Sequence, residues 1–205
     1  MTRFVLASAS PARLATLRRA GLAPEVIVSD VDEEGIEAAT PAATAELLAA
    51  MKADAVAGRL RRGAEPVEDG FVLGCDSLLE LDGVALGKPG TPEAAAERWR
   101  AMRGNVGILH TGHCLISLAS GRRELATAST IVRFADVSDA EIAAYVATGE
   151  PLWVAGAFTT DGLGGAFVEG IDGDHHNVVG VSLPLLRRML ATLGVVWTNL
   201  WVPGS

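Results

Sequence analysis

The sequence is poor in features that mark several classes of protein, and each shortage excludes one class. Its 205 residues contain two cysteines, Cys75 and Cys114, which form no C-x-x-C pair and are too few for a disulfide framework. No apolar run approaches the roughly 20 residues needed to cross a bilayer, and the apolar stretch after Met1 is too short for a signal peptide. We therefore expect a cytoplasmic protein with no membrane partner.

Positive charge is also scarce, since 17 Lys and Arg residues stand against 25 Asp and Glu residues and give a formal net charge of −8. Nucleic-acid backbones are held mainly by surplus Lys and Arg, so we expect no nucleic-acid partner. A single nucleotide needs only a few cations in a cleft, helped by a divalent metal. The hydrophobic content of 49% is that of a globular chain.

Short apolar strands and capped helices alternate along the chain, which predicts an α/β fold. Ser10 followed by a proline is a helix start after a strand at 4–7. Helical spacing of apolar residues predicts a helix over about residues 42–62. The apolar segment 71–75 is predicted to be a strand that delivers Asp76 at its end.

The second half continues the pattern. Residues 106–119 and 124–134 are predicted β segments, and a glycine-rich stretch at 155–165 precedes a predicted strand at 166–168. Residues 183–193 are predicted to form the last helix. Because the chain shows no internal repeat and no linker, we predict one α/β domain over residues 1–205, whose two halves share a cleft.

Seven polar residues stand at predicted strand ends, loop starts or helix faces. Their three cations can hold phosphate oxygens, and their two carboxylates can bind Mg²⁺ or Mn²⁺ together with substrate phosphates. Such strand ends line the ligand crevice of open α/β sheets. The seven residues are Ser8, Ser10, Arg13, Glu33, Lys52, Asp76 and Lys88. The mixture is what phosphate-ester chemistry requires.

Taken singly, most of these residues also have an ordinary structural explanation. A helical cation such as Arg13 or Lys52 is usually a solvated surface charge, and Glu33 lies in an acidic loop segment. Ser8 and Ser10 fit turn and cap positions. A lone carboxylate after five apolar residues has to be satisfied locally or used, so Asp76 is the hardest to explain as a surface group.

A series of short motifs, in order along the chain, resembles the Maf family of septum-formation proteins, which are nucleotide pyrophosphatases. The matching segments are LASASPAR (6–13), VDE (31–33), KA (52–53), GCDS (74–77), LGKP (86–89), TG (111–112), GEP (149–151), AGAF (155–158) and GDHHNVVG (173–180). The resemblance covers about residues 3–192. No single motif is decisive, but the ordered series is specific.

The resemblance implies a mixed β-sheet with flanking helices and a two-lobed cleft, similar to inosine-triphosphate pyrophosphatases. Residues 193–205 are then a tail beyond the family core. Its Trp197 and Trp201 fit a docked terminus, the cover of an apolar patch, or a contact with a partner subunit. The resemblance leaves a homodimer open.

The implied activity is hydrolysis of non-standard or modified nucleoside triphosphates to a monophosphate and pyrophosphate, with Mg²⁺ or Mn²⁺ as cofactor. Such an enzyme clears unwanted nucleotides from the cell. Carried over by position, Asp76 is the general base and, with Glu33, a metal ligand. The residues implied to bind the substrate are Ser8, Ser10, Arg13, Lys52 and Lys88.

The chain departs from the family pattern at a few positions. Ala12 replaces the first arginine of the opening motif, and Asp161 stands where pyrimidine-preferring members carry glutamine. Members that prefer 7-methyl-GTP carry an acid at that position. Asp161 is therefore open as a substrate-binding reader of a purine base, as a metal helper, or as a surface acid.

These departures also keep a second function open. A nucleotide-sensing protein that influences cell division, with weak or no hydrolysis, would keep the cations but would have little need of a base beside a metal. A phosphatase that releases single phosphates is a third alternative. Retention of Asp76, Glu33, Lys52 and Lys88 together favours the pyrophosphatase.

The histidines do not predict a zinc site. His110 and His113 have an H-x-x-H spacing, but positions three apart on a strand face opposite sides of the sheet. His175 and His176 are placed in a polar turn over residues 172–177.

Overall fold

The apolar segments of the sequence form the strands of one mixed sheet. The computed structural model describes residues 2–63 and 66–202. The strands are β1 (Phe4–Leu6), β2 (Glu25–Val26), β3 (Phe71–Leu81), β4 (Val84–Leu86), β5 (Val106–Ser117), β6 (Arg123–Phe134) and β7 (Val168–Asp172). They lie in the order β2-β1-β3-β5-β6-β7, and β4 pairs with β3. β1 is parallel to β2 and β3, and the other pairs are antiparallel.

Six α-helices cover this sheet within the described residues, and their starts follow from local sequence. The helices are α1 (Pro11–Arg19), α2 (Pro41–Arg62), α3 (Pro92–Met102), α4 (Asp139–Ala147), α5 (His175–Val179) and α6 (Leu183–Thr192). Five of them begin after a Ser or Thr whose hydroxyl accepts a hydrogen bond from a first-turn N–H. The single α/β domain expected from the sequence is therefore confirmed.

Helix α2 lies directly on β3 and β5 because two glycines let its backbone approach. A Cβ atom on Gly74 would lie 2.2 Å from the carbonyl oxygen of Ala49, and one on Gly112 would lie 2.2 Å from that of Ala45. Only glycine permits contact this close. The approach holds the middle of α2 against the centre of β3, where Asp76 lies.

The other helices complete two further apolar clusters. Helices α1 and α6 pack on the opposite face of β3, against side chains that include Leu73 and Cys75. Helices α3 and α4 pack around the ends of β3 and β6 to form a second lobe. Trp99 is fully buried at its centre and makes edge-to-face contacts with Phe134 and Tyr145.

Two strand predictions are wrong. β3 does not stop at Cys75 but continues through Asp76 to Leu81, because β5 pairs along it from Phe71 to Glu80. The strand predicted at 166–168 is instead the end of a 3₁₀ turn over Leu163–Phe167, followed by β7. The Glu150 carboxylate accepts hydrogen bonds from the N–H groups of residues 163 and 164, which curls the chain there.

The predicted polar turn at 172–177 is also wrong, because part of it begins a helix. The Asp174 carboxylate accepts the N–H of His176 at 3.0 Å and caps α5. His175 and His176 therefore lie on a helix rather than on an extended turn.

The C-terminal tail docks on the domain. Trp197 packs against the cluster below α1 and α6, and Leu200 is buried. The Val202 N–H donates to the Gly21 carbonyl at 2.9 Å, and the Trp201 ring covers Gly21 so closely that a Cβ there would lie 2.6 Å from its Cδ1. Of the roles considered for the tail, the docked terminus is the observed one through residue 202; residues 203–205 lie outside the described part of the chain.

Candidate active site

The candidate site lies where one edge of β3 is left open. On that edge β1 pairs with Phe71–Leu73 and β4 pairs with Leu79–Leu81, while β5 occupies the other edge throughout. The segment between them, residues 74–78, is here called the β3 gap. Asp76 and Ser77 lie at its centre, and their side chains point to opposite faces of the sheet. Groups from both faces can therefore reach one ligand at this edge.

On the α2 face, two carboxylates meet at one ammonium group. The Lys52 Nζ lies 2.5 Å from Asp76 Oδ1 and 2.8 Å from Glu33 Oε1. The Lys52 and Asp76 side chains are 9% and 11% exposed, whereas that of Glu33 is 44% exposed. Lys52 is thus not the solvated surface charge that its helical position alone would indicate.

On the other face, Arg13 is buried and held by three acceptors. Its Nε donates to the Gly180 carbonyl at 2.7 Å, Nη1 to Ser8 Oγ at 3.1 Å and Nη2 to Ser77 Oγ at 2.9 Å. A guanidinium carries five N–H donors, so these contacts use three of them. Ser10 caps α1 by accepting the Arg13 N–H at 3.3 Å. Both serines therefore have structural roles beside the site.

A directed chain of hydrogen bonds continues from Arg13 into the core. The Thr111 hydroxyl donates to the Asn177 carbonyl at 3.1 Å, so its 2.9 Å contact with Ser77 must be donated by the Ser77 hydroxyl. Asn177 is fully buried, and its Nδ2 donates to the carbonyls of Leu109 and of residue 128 and to the hydroxyl of residue 130. This chain of hydrogen bonds fixes the Ser77 hydroxyl between Arg13 and Thr111.

Thr111 and Asn177 lie within two of the matching motifs, at 111–112 and 173–180, but the sequence predicts no role for either residue. Both have polar neighbours in the sequence, His110 before Thr111 and His176 before Asn177, so nothing local marks them as buried groups. Their partners lie 34 and 66 residues away, so local patterns could not name them.

Lys88 lies on the same cleft as the carboxylates. The cleft has a volume of about 640 Å³, and its reaction end is lined by Glu33, Asp76, Ser77 and Lys88. Apolar side chains, Ile36, Leu48 and Leu78 among them, also line it. That volume falls in the range of small-molecule sites. The structure thus places Lys88 on the cleft that Glu33 and Asp76 line, and these two carboxylates in turn hold Lys52.

Asp161 is placed differently. It is exposed, and it is not among the side chains that line this cleft. Its loop is held by Glu150, whose carboxylate accepts the Tyr145 hydroxyl at 2.9 Å and the Thr159 hydroxyl at 2.6 Å, besides the two N–H groups of the 3₁₀ turn. Burial raises the pKa of Glu150, but these hydrogen bonds outweigh it and the pKa is lowered overall.

The residues of the cleft fit a divalent metal. Glu33 and Asp76 each approach the Lys52 ammonium within 2.8 Å or less, so their oxygens can converge on one cation. No group of three His, Cys, Asp or Glu side chains in residues 2–63 and 66–202 is arranged to hold a metal. A two-carboxylate set completed by substrate phosphates is the arrangement typical of Mg²⁺.

The two histidines of the H-x-x-H spacing belong to separate networks, as the strand geometry predicts. His110 contacts Ser129 Oγ at 2.8 Å and Glu80 Oε2 at 2.9 Å. His113 Nε2 accepts the Ser182 N–H at 2.8 Å, so its proton is on Nδ1. Burial lowers the pKa of His113 to about 4, which keeps this ring neutral near pH 7.

The two cysteine thiols are free and buried on opposite faces of the sheet. Cys75 packs in the cluster of α1 and α6, and Cys114 packs in the cluster below α2. Burial raises the pKa of Cys75 to about 12 and that of Cys114 to about 11. Both thiols are therefore protonated and unreactive in the folded chain.

The arrangement is suited to binding and cleaving a phosphate anhydride. Arg13, Lys52 and Lys88 approach the β3 gap from different directions, so they can surround an extended anion. The two carboxylates add a cation site and an acceptor for a proton from water.

None of the helices in residues 2–63 and 66–202 combines the length and the apolar composition that spanning a membrane requires.

Comparison with known proteins agrees with this chemistry. The family model for Maf-like proteins matches residues 3–193. A nucleoside triphosphate pyrophosphatase of Streptomyces coelicolor is 61% identical over 203 residues, which cover 99% of this chain and 96% of the relative. Proteins of the same name from Salinispora tropica and Cutibacterium acnes are 56% and 50% identical, over 99% and 98% of this chain and 89% and 95% of their own length.

Proposed function

The chain belongs to the Maf family, and we propose that it is a nucleoside triphosphate pyrophosphatase. In the proposed reaction, water attacks the α-phosphorus and the bond from that phosphorus to the α,β-bridging oxygen breaks. The products are a nucleoside monophosphate and pyrophosphate. The substrate class is non-standard or modified nucleotides, and the site of action is the cytoplasm, where nucleoside triphosphates are made and used.

One observation carries the proposal. Two carboxylates, Glu33 and Asp76, meet at the Lys52 ammonium in a cleft that also contains Lys88. A protein that only binds nucleotides needs the cations but gains nothing from carboxylates facing the phosphates, because like charges repel. The pair is useful when a metal and an attacking water have to be held there.

Each residue then has a defined task. Arg13 and Lys88 bind oxygens of the triphosphate, and Lys52 joins them when it leaves its ion pairs. Asp76 orients the attacking water and accepts its proton. Ser8 and Ser77 keep the Arg13 guanidinium fixed, so little side-chain entropy is lost on binding.

A divalent metal completes the site in this proposal. Glu33 and Asp76 would hold it, and when bound it would supply charge neutralisation at the phosphates and a lowered pKa for a bound water. Mg²⁺ and Mn²⁺ both suit oxygen ligands of this kind.

The test is product analysis on UTP, dTTP, CTP, 7-methyl-GTP and ITP with Mg²⁺ and with Mn²⁺. We expect pyrophosphate and monophosphate from the parent, and a rate lower by a factor of about 10² or more for Asp76→Asn, as for the loss of a general base. Asp54→Asn is the matched control, because Asp54 is exposed on the surface of α2, where it pairs with Arg123 at 3.3 Å.

Each outcome decides between the alternatives. Release of orthophosphate alone would identify a phosphatase, and tight binding without turnover would identify a nucleotide-sensing protein. Equal rates for the parent and Asp76→Asn would exclude Asp76 as the base. The panel of nucleotides also shows which nucleobase the cleft prefers.

The proposed partner is therefore a single nucleotide and not a nucleic acid, which the net charge of −8 supports. The proposal includes a homodimer, supported by exposed apolar side chains such as Trp153 (69%) and Leu163 (61%). Light scattering after gel filtration tests it, and a monomeric mass at micromolar concentration would contradict it.

A further inference from the structure

The loop that carries Lys88 is anchored from behind by a second set of residues. We propose that Arg98 and the turn at Gly156 are positioning residues for Lys88, which they hold at the cleft without touching the substrate. The inference rests on the proposed function of Lys88 in binding the triphosphate.

Two donors converge on the carbonyl oxygen that precedes Lys88. The Gly156 N–H donates to the Gly87 carbonyl at 3.1 Å, and Arg98 Nη1 donates to the same oxygen. A third bond follows on the other side of Lys88, where the Gly90 N–H donates to the Leu152 carbonyl at 3.0 Å. Lys88 therefore lies between two fixed points of the backbone.

The turn that provides the Gly156 N–H has an unusual backbone. Gly156 and Ala157 have φ of 68° and 61°, both in the left-handed region, and this conformation is uncommon for alanine. A Cβ on Gly156 would lie 2.7 Å from the Cβ of Leu79, so only glycine fits. The Trp99 Nε1 donates to the Ala157 carbonyl at 2.8 Å and holds the turn in place.

Helix α3 thus acts on the Lys88 loop twice. Arg98 contacts Gly87 directly, and the next residue, Trp99, holds the turn that provides the second donor. Trp99 is fully buried at the centre of the second lobe, which makes α3 a rigid support. Arg98 lies in the C-terminal half of α3, which ends at Met102, and its half-buried side chain extends from the helix to the Gly87 carbonyl.

Lys88 needs such support more than the other cations do. Its side chain is exposed, whereas Arg13 and Lys52 are buried and held by hydrogen bonds or ion pairs. A lysine carries its charge on a long four-carbon stem, so the position of the Lys88 ammonium depends on where its backbone is held. A displacement of about 1 Å in a substrate-positioning group can reduce a rate about 10²-fold.

The experiment is a double-mutant cycle on nucleotide binding. Binding of an α,β-methylene nucleoside triphosphate, which resists cleavage, is measured by calorimetry with Mg²⁺ for the parent, Arg98→Met, Lys88→Met and the double variant. We expect Arg98→Met to weaken binding about tenfold in the parent and less than about twofold in the Lys88→Met background, because coupled residues are not additive. Arg98→Lys, which keeps a donor, should retain most of the affinity.

A second readout does not depend on the nucleotide. Without ligand, amide hydrogen exchange at Gly90 and Gly156 should be about tenfold faster in Arg98→Met than in the parent, relative to amides of β3. Arg100→Met is the matched control, since Arg100 is exposed on the same helix and pairs weakly with Asp139 at 3.9 Å. It should change neither exchange nor affinity.

The two readouts separate the possible failures. An equal loss of affinity in both backgrounds, or unchanged exchange at Gly90 and Gly156, would overturn the positioning role. If the parent binds and cleaves no triphosphate, the proposed function is wrong, and the exchange measurement still decides whether Arg98 holds the loop.

Discussion

Substitution of Lys52 by methionine tests the charge balance on which the site depends. The change keeps an unbranched apolar stem but leaves Asp76, 11% exposed, without the ammonium 2.5 Å away. Removing one partner of a buried ion pair costs about 3–5 kcal/mol, and an exposed pair is worth less than about 1 kcal/mol. Because water reaches this cleft, the loss of the Asp76 pair should cost about 3 kcal/mol, the lower end of the range for a buried pair. The ion pair of Lys52 with Glu33, whose side chain is 44% exposed, adds little to this cost.

We therefore expect Lys52→Met to lower the free energy of unfolding by about 3 kcal/mol at pH 7 with EDTA. In urea, with a slope of about 2 kcal/mol per M, the midpoint should fall by about 1.5 M. Arg59→Met is the matched control on the same helix, because its pair with Asp30 is exposed. It should cost less than about 1 kcal/mol.

Manganese gives the second half of this prediction. Without Lys52 between them, Glu33 and Asp76 are left as two carboxylates that can accept a divalent cation. Mn²⁺ at about 100 times its dissociation constant would raise the free energy of unfolding of Lys52→Met by about 2.7 kcal/mol. It should stabilise the nucleotide-free parent less. If Lys52→Met costs no more than the control, or gains nothing from Mn²⁺, Lys52 is not the cation that balances these carboxylates.

Three further predictions follow from buried groups. Burial lowers the pKa of His113 from the ordinary 6.5 to about 4 in the folded chain. The contribution of His113 to the free energy of unfolding is therefore complete above pH 6.5 and is lost as the pH falls toward 4. Between pH 7 and pH 4.5, the free energy of unfolding of the parent, measured in urea, should fall by about 2 kcal/mol more than that of His113→Asn. Equal decreases would contradict this. Gly112→Ala places a Cβ 2.2 Å from a carbonyl of α2 and should cost more than about 2 kcal/mol, whereas Gly170→Ala, whose nearest neighbour is 3.9 Å away, should melt like the parent. Native Cys75 should resist a thiol reagent that labels it rapidly in urea, because burial raises its pKa to about 12; fast labelling of the folded chain would refute its burial.

Elements with local causes could be predicted from the sequence. The start of α1 follows from the Ser10 hydroxyl cap and the proline directly after it, and the structure confirms it. The continuity of β3 through Asp76 could not be predicted, because a carboxylate after an apolar run normally ends a buried strand. It depends on β5, whose pairing residues are about 40 positions away.

The site divides in the same way. Residue type and motif order were enough to select Glu33, Lys52 and Asp76, which meet within hydrogen-bonding distance. What sequence could not supply is the group that holds each one. Gly74 allows α2 to reach β3, and Thr111 fixes the Ser77 hydroxyl that holds Arg13. Both act through contacts that no local pattern contains.

The three cations of the cleft are held in place by different means, and this determines how each can fail. Arg13 is fixed by its own side-chain hydrogen bonds, so loss of Ser8 or Ser77 acts on it directly. Lys52 is fixed by two ion pairs and is free to move only when another cation takes its position between the carboxylates. Lys88 has an exposed side chain whose backbone alone is anchored, by α3 and the turn at Gly156. A substrate that binds all three would therefore have to separate Lys52 from its carboxylates and order the exposed Lys88 side chain, while Arg13 is already in place. In the proposed mechanism, a divalent cation held by Glu33 and Asp76 would compensate their charge when Lys52 turns to the phosphates.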